Sequence, residues 1–199
     1  MKLSLSLACL LPFAVHANLL LDGSFEPRGT LPTGIPDVVT GVDPHLRFAN
    51  APMPASFGAW SFTGNYYVDL MGSGYVDAGN HTWNDAHHGN QYLYIVDSYP
   101  LYHGSASQSV SLTAGVAYEL TFAQTDFPGW DGGEGWVRVT VTAGAFTQSQ
   151  EYNSGNISNG AATSWLLRHF AFTVPGTGEP VATTVTFSSR EGIPPSSTR

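Results

Sequence analysis

The sequence predicts an all-β protein, an antiparallel β-sandwich of about nine strands. Apolar residues alternate with polar ones along segment after segment, which places every second side chain on the same face of a strand. Turn signals that contain glycine, asparagine or proline separate these segments. No stretch shows a convincing helical spacing of apolar residues, so the pattern favours sheets throughout.

The clearest strand pattern lies in the central stretch, residues 89–123. Its first run, 91–96, alternates Leu93 and Ile95 against Tyr92 and Tyr94, so one face is predicted to join the core and the other carries aromatic rings. Two further alternating runs, 106–112 and 118–122, are joined by Thr-Ala-Gly, which suits a tight reversal between antiparallel strands. We therefore expect three strands of an antiparallel sheet.

Further strands are predicted on both sides of this stretch. A Gly-Asn turn is expected to separate two of them, 60–62 and 66–70. The proline- and glycine-rich segment 27–54 shows little periodicity, which predicts a long ordered loop or an insertion. The remaining predicted strands are 19–21, 136–142, 146–152, 166–174 and 181–188.

The N-terminal residues have the pattern of a secretory signal peptide. Lys2 is followed by an apolar run up to Val15, and small residues around Ala17 suit cleavage. A retained N-terminal anchor is the alternative. We expect a signal peptide over 1–17, one sandwich domain over 18–188 and a tail over 189–199. The only cysteine, Cys9, lies in the signal, so the mature chain is expected to lack disulfides and thiolate chemistry.

The charge balance excludes two classes of partner. Seven basic and fifteen acidic residues give a formal net charge of −8, so no basic surface is expected for nucleic acid or anionic membranes. Only 11% of residues are charged, whereas glycine and aromatic residues are abundant. This composition favours an extracellular all-β domain or a module that binds neutral polar ligands such as sugars.

Four motifs occur in an order that resembles a known family: NLLLDGSFE, WSFTGNYYVDLMGSGY, GNQYLYI and SASQSVSLTAGVAYELTFAQ. Together they resemble the secreted galactose-binding-like β-sandwich domains, which are related to carbohydrate-binding modules. Such domains stand ahead of bacterial cell-surface sorting tails and occur in plant cell-wall proteins. The resemblance covers residues 18–187. It implies a jelly-roll sandwich and a role at a cell surface or on a polysaccharide.

The end of the chain departs from this family's pattern. Its domains close with a strand that ends in Leu-Asp-Asp or Leu-Asp-Asn, whereas this chain ends TTVTFSSREGIPPSSTR. We expect either truncation near Ser189 or a protein free of an anchor. Relatives often hold a structural calcium ion, and the N-terminal half of that site would lie around Asp22 and Glu26. No other cofactor is expected.

Aromatic residues are the leading candidates for a ligand site. Flat rings beside hydrogen-bonding side chains suit sugars, because the rings stack on C–H faces while polar groups bind hydroxyls. The alternative is that the rings form the second half of the core, since both sheets of a sandwich bury a face. The predicted ligand-binding residues are Trp83, Tyr92, Tyr94, Tyr99 and Trp130.

Two polar loops carry residue types that could bind a metal or catalyse a reaction. The loop with His81, His87 and His88 could supply metal ligands, although a solvated loop is the default for this spacing. The loop with Asp126, Asp131 and Glu134 could hold a carboxylate pair for glycoside cleavage, or could be a glycine-rich turn. No Gly-x-Ser-x-Gly elbow supports a serine hydrolase.

The leading hypothesis is a secreted, non-catalytic module that binds a carbohydrate or another cell-surface polymer. It would be extracellular or periplasmic and associated with the cell surface. The first alternative is a structural or adhesive extracellular protein without a sugar site. The second is an enzyme that acts on polysaccharides, which would need two carboxylates held in a cleft.

Overall fold

In a computed structural model the described residues are 20, 45–48, 56–64, 68–72, 87–88, 91–95, 97–98, 102–125, 135–155 and 165–189. These residues form twelve strands and no helix, so the all-β prediction is confirmed. Three of the twelve strands are short and were not predicted from the sequence. The strands are β1 His45–Phe48, β2 Ser56–Phe57, β3 Trp60–Gly64, β4 Val68–Gly72, β5 Gln91–Ile95, β6 Asp97–Ser98, β7 Tyr102–Thr113, β8 Ala117–Gln124, β9 Trp136–Ala143, β10 Phe146–Asn153, β11 Leu166–Thr173 and β12 Pro180–Ser188.

The strands form antiparallel sheets that are consistent with a sandwich. The largest sheet has the order β10-β9-β12-β7-β3-β2, with β6 paired to the start of β7. Opposite it lie a two-stranded sheet, β11-β8, and a three-stranded sheet, β1-β4-β5. Strand β1 lies inside the segment that the sequence predicts to be a loop or an insertion, and it pairs with β4 from His45↔Met71 to Phe48↔Val68.

The main hydrophobic core lies between the large sheet and the β11-β8 sheet. Its buried residues include Val139 and Val141 from β9, Val185 from β12, and Phe170 and Phe172 from β11. Side chains of β8 pack against this cluster, among them Tyr118, Leu120 and Phe122. The alternating apolar residues of β9, β11 and β12 therefore line this core.

A second core lies beneath the three-stranded sheet. Trp60 and Phe62 of β3 pack with Val68 and Leu70 of β4, and all four are at most 3% exposed. Leu93 and Ile95 of β5 pack against the same cluster, as their alternation with the tyrosines predicted. Leu20 packs against both cores.

The three central strands do not share a sheet, and that prediction is wrong. Strand β5 pairs with β4, β7 pairs with β12, β3 and β6, and β8 pairs with β11. The short connection after β7 crosses between layers instead of closing a hairpin. Gly115 has a φ of 81°, and its N–H donates to the carbonyl of Val174 at 2.8 Å. Crossing lets β7 and β8 face the same core from opposite sides.

Strands β3 and β4 are separated in the same way. Gly64 of the predicted Gly-Asn turn is the last residue of β3 and Asn65 lies outside the described residues, but β3 belongs to the large sheet and β4 to the three-stranded sheet. Because the apolar residues of both strands line one core, the chain has to change layer between them. None of the residues described above forms a helix long and apolar enough to cross a membrane.

Candidate functional site

An aromatic cluster surrounds Trp165, the residue directly before β11. The Tyr92 ring meets the indole edge-on, with centroids 5.7 Å apart and planes at 76°. The His87 ring does so at 5.9 Å and 67°. Met71 and Tyr92 are buried, while Tyr94 and Trp165 are partly buried against them. We call Met71, His87, Tyr92, Tyr94 and Trp165 the Trp165 cluster.

The register of β4 and β5 explains why these side chains meet. Met71 lies opposite Tyr92, and Asp69 lies opposite Tyr94. Period-two geometry then places these four residues on the face turned away from the second core. Asp69 is only 2% exposed and lies across from Arg47 in the register with β1. The three-stranded sheet is thus covered on both faces, with Trp165 on the second.

A buried polar network joins the strand ends next to Trp165. The side-chain amide of Gln124 donates to the carbonyls of Gly135 at 3.0 Å and Tyr152 at 3.2 Å. Arg168 donates to the side-chain oxygen of Gln124 at 3.1 Å and also to the carbonyl of Asn153. These bonds connect the end of β8, the start of β9, the end of β10 and the start of β11.

Described residues that flank three connecting segments belong to the cluster or to the network. In the sequence, segments 126–134 and 156–164 separate the strand ends that the Gln124–Arg168 network joins. Segment 73–90 connects β4 to β5 and contributes His87, which contacts Trp165. Two of these segments carry predicted ligand residues, Trp83 and Trp130, although both residues lie outside the described part of the chain.

The structure places two of the five predicted ligand residues. Tyr92 is 8% exposed, so it is part of the interior, which is the alternative given for these rings above. Its ring packs edge-on against Trp165. Tyr94 is partly buried in the same cluster. Tyr99 lies outside the described residues, together with Trp83 and Trp130. The predicted calcium ligands Asp22 and Glu26 also lie outside them.

Sequence reasoning missed Trp165. It follows a polar loop and directly precedes a strand, whereas Trp83 and Trp130 lie within polar loops. The signal was present in the sequence. What the sequence did not show is that the Tyr92 and His87 rings, more than seventy residues away along the chain, would pack on its ring.

The described residues offer little for metal or carboxylate chemistry. No group of three or more histidine, cysteine, aspartate or glutamate side chains among them could hold a metal ion. His87 and His88 are exposed, whereas His81 and the acidic loop of Asp131 and Glu134 lie outside the described part. Of the described carboxylates, Glu151 pairs with Arg138 at 2.6 Å and Glu119 with His169 at 3.2 Å.

Tyr152 gives the network a predictable response to alkaline pH. Burial raises its pKa above the ordinary 10.0, and the positive charge of Arg168 opposes part of that rise. The folded state thus holds this proton more tightly, which stabilises it fully below about pH 10 and less as pH rises through the folded-state pKa. We expect urea denaturation at about pH 9 and pH 11 to show a steeper loss of stability for the native protein than for Tyr152→Phe. Equal slopes would contradict this assignment.

Comparisons with known protein families and with curated proteins find no match to the chain. In place of a family match, we classify the protein by its fold and its candidate site. It is an all-β, sandwich-like protein with an aromatic cluster beside the ends of several strands.

Proposed function

We propose that this protein is a secreted, non-catalytic module that binds carbohydrate at the Trp165 cluster. The observation that carries the proposal is the partly exposed indole of Trp165, held edge-on by Tyr92 and His87. An indole with restricted motion loses little conformational entropy when a sugar ring stacks on it. The exposed His87 ring contacts the indole and can bind hydroxyls of a ligand.

The charges of the chain favour an uncharged ligand. The net charge of −8 repels acidic glycans, and this repulsion acts over distances up to the Debye length. Near the cluster, the positive group of Arg168 is already engaged by Gln124 and Asn153. A neutral polysaccharide is the ligand class that this arrangement fits best.

Trp165→Ala is expected to abolish binding while the protein remains folded. Removing the central ring of a binding site typically costs about 2 kcal/mol or more, which is roughly a thirtyfold loss of affinity. Affinity electrophoresis in gels that contain soluble neutral polysaccharides measures this directly. Retardation of the native protein should disappear in the variant, and circular dichroism should show that the β fold is retained.

Leu167→Ala is the matched control, because Leu167 lies two residues further along and is 56% exposed. Its retardation should equal that of the native protein. Unchanged retardation of Trp165→Ala would remove the cluster from the binding site. If the folded native protein were retarded by none of the polysaccharides, the structural or adhesive alternative would be favoured.

A further inference from the structure

The outer face of the large sheet carries hydroxyl side chains in register across five strands. Neighbouring strands place outward residues directly opposite each other, and the pairings connect into one continuous row. Every member of the row is exposed or partly exposed. From β3 to β10 this central row is Ser61, Ser107, Thr186, Thr140 and Ser149.

Two flanking rows extend the same pattern. One contains Ser109, Thr184, Thr142 and Thr147 on β7, β12, β9 and β10. The other contains Thr63, Ser105 and Ser188 on β3, β7 and β12. We call these three rows the hydroxyl face. Five strands at about 4.8 Å spacing span roughly 19 Å, and hydroxyl-bearing residues recur about every 6.7 Å along each strand.

Hydrogen bonds show that the hydroxyls of neighbouring strands lie side by side. The hydroxyl oxygens of Thr63 and Ser105 are 2.6 Å apart, and the hydroxyl oxygens of Thr140 and Ser149 are 3.1 Å apart. β-Branched and small polar residues favour solvated strands, which accounts for single positions. Strand propensity does not explain why the five residues of the central row lie directly opposite one another with no charged side chain among them.

The charge of the hydroxyl face differs from that of the whole protein. Arg138 and Glu151 continue the row of Thr63, Ser105 and Ser188 onto β9 and β10, and they neutralise each other in a 2.6 Å ion pair. At the other border, His103 lies two residues before Ser105 on β7 and pairs in register with Asp97 of β6. Well-solvated protein surfaces carry about 25–35% charged residues of both signs. This face is therefore a neutral area on a chain of net charge −8.

We propose that the hydroxyl face docks on the surface of an insoluble, uncharged polysaccharide. A charged polymer finds no opposite charge on this face, whereas the hydroxyls of a neutral polysaccharide can exchange hydrogen bonds with every row. Each exchange contributes little by itself, but many parallel contacts on one rigid sheet act as a multivalent surface. The inference rests on the proposed carbohydrate ligand and adds a second surface, which belongs to the layer opposite β11 and Trp165.

The test is depletion of the protein from solution by three uncharged insoluble polymers: microcrystalline cellulose, chitin and mannan. A triple variant, Ser107→Ala with Thr140→Val and Thr186→Val, removes three adjacent hydroxyls of the central row at nearly constant shape. We expect its bound fraction on the preferred polymer to fall at least fivefold, while its retardation by soluble polysaccharide in gels stays unchanged. Raising the salt concentration should leave native binding unaltered, because no charges are involved.

Thr121→Val with Thr173→Val is the matched control, since both threonines are exposed on the β11-β8 sheet. It should bind the polymers as the native protein does. The inference is overturned if the native protein binds none of the three polymers, if the triple variant binds as well as the native protein, or if salt removes the binding. Self-association that only the triple variant loses would overturn it too and assign the face to a second copy of the chain. Trp165→Ala distinguishes the two proposals, because it should lose gel retardation and keep binding to the insoluble polymer.

Discussion

Phe170→Ala is expected to lower the free energy of unfolding by about 3–5 kcal/mol, because it leaves a cavity in the main core. Phe170 is fully buried and stacks on Phe172 with ring centroids 5.7 Å apart. It lies on β11 opposite Leu120 of β8, where the two-stranded sheet packs on the large one. Urea denaturation monitored by tryptophan fluorescence gives the change, and the m-value shows whether unfolding stays two-state.

Leu167→Ala serves as the control on the same strand. Leu167 is 56% exposed, so its truncation should change stability by no more than about 0.5 kcal/mol. A loss below about 1 kcal/mol for Phe170→Ala would mean that the core between the two layers is not packed as described.

Gly64→Ala is expected to destabilise the protein by about 2–5 kcal/mol, from backbone strain and overpacking together. Gly64 has a φ of 146°, a conformation that residues with a side chain rarely adopt. It pairs with Gly104 at the end of β3, where the chain leaves the large sheet for the three-stranded one. An added Cβ would collide with the carbonyl oxygen of His103 and come within 2.7 Å of the Gly104 Cα, and both contacts are backbone. Thermal and urea denaturation measure the loss.

Gly144→Ala separates the two contributions. Gly144, in the turn between β9 and β10, has a φ of 58°, and a Cβ added there would meet nothing within 4 Å. Only conformational strain of about 1–2 kcal/mol is therefore expected. Equal losses for the two alanine variants would show that crowding at the β3–β7 contact plays no part.

Much of the strand pattern could be read from the sequence. Val139 and Val141 on β9 and Val185 on β12 alternate with threonines, and the structure buries the valines and turns the threonines at 140, 142, 184 and 186 outward. Leu93 and Ile95 on β5 also lie on the face that the alternation assigned to the core. Local patterning is sufficient here, because a strand with one apolar face has only one way to present it to the interior.

The pairing of strands could not be read in this way. The alternation of β7 and β8 is the same whether the two strands form a hairpin or face each other across a core. The choice depends on β12 and β11, which lie more than forty residues further along the chain and supply the hydrogen-bonded neighbours of β7 and β8. Strand β1 escaped prediction for a related reason, since its four residues are defined by pairing with β4 and not by their own periodicity.

The candidate site also combines features that the sequence predicts with features that only the tertiary structure sets. Sequence alone determined that this is an all-β protein, which face of each major strand is apolar, and that aromatic residues cluster in and beside polar loops. Only the tertiary structure decided that Tyr92 is covered while Trp165 keeps part of its surface in solvent, and that separate serines and threonines align into one face. The physical reason is that period-two alternation specifies a side chain's face relative to its own strand. What covers that face, and what lies beside it, is set by contacts between residues far apart in the chain.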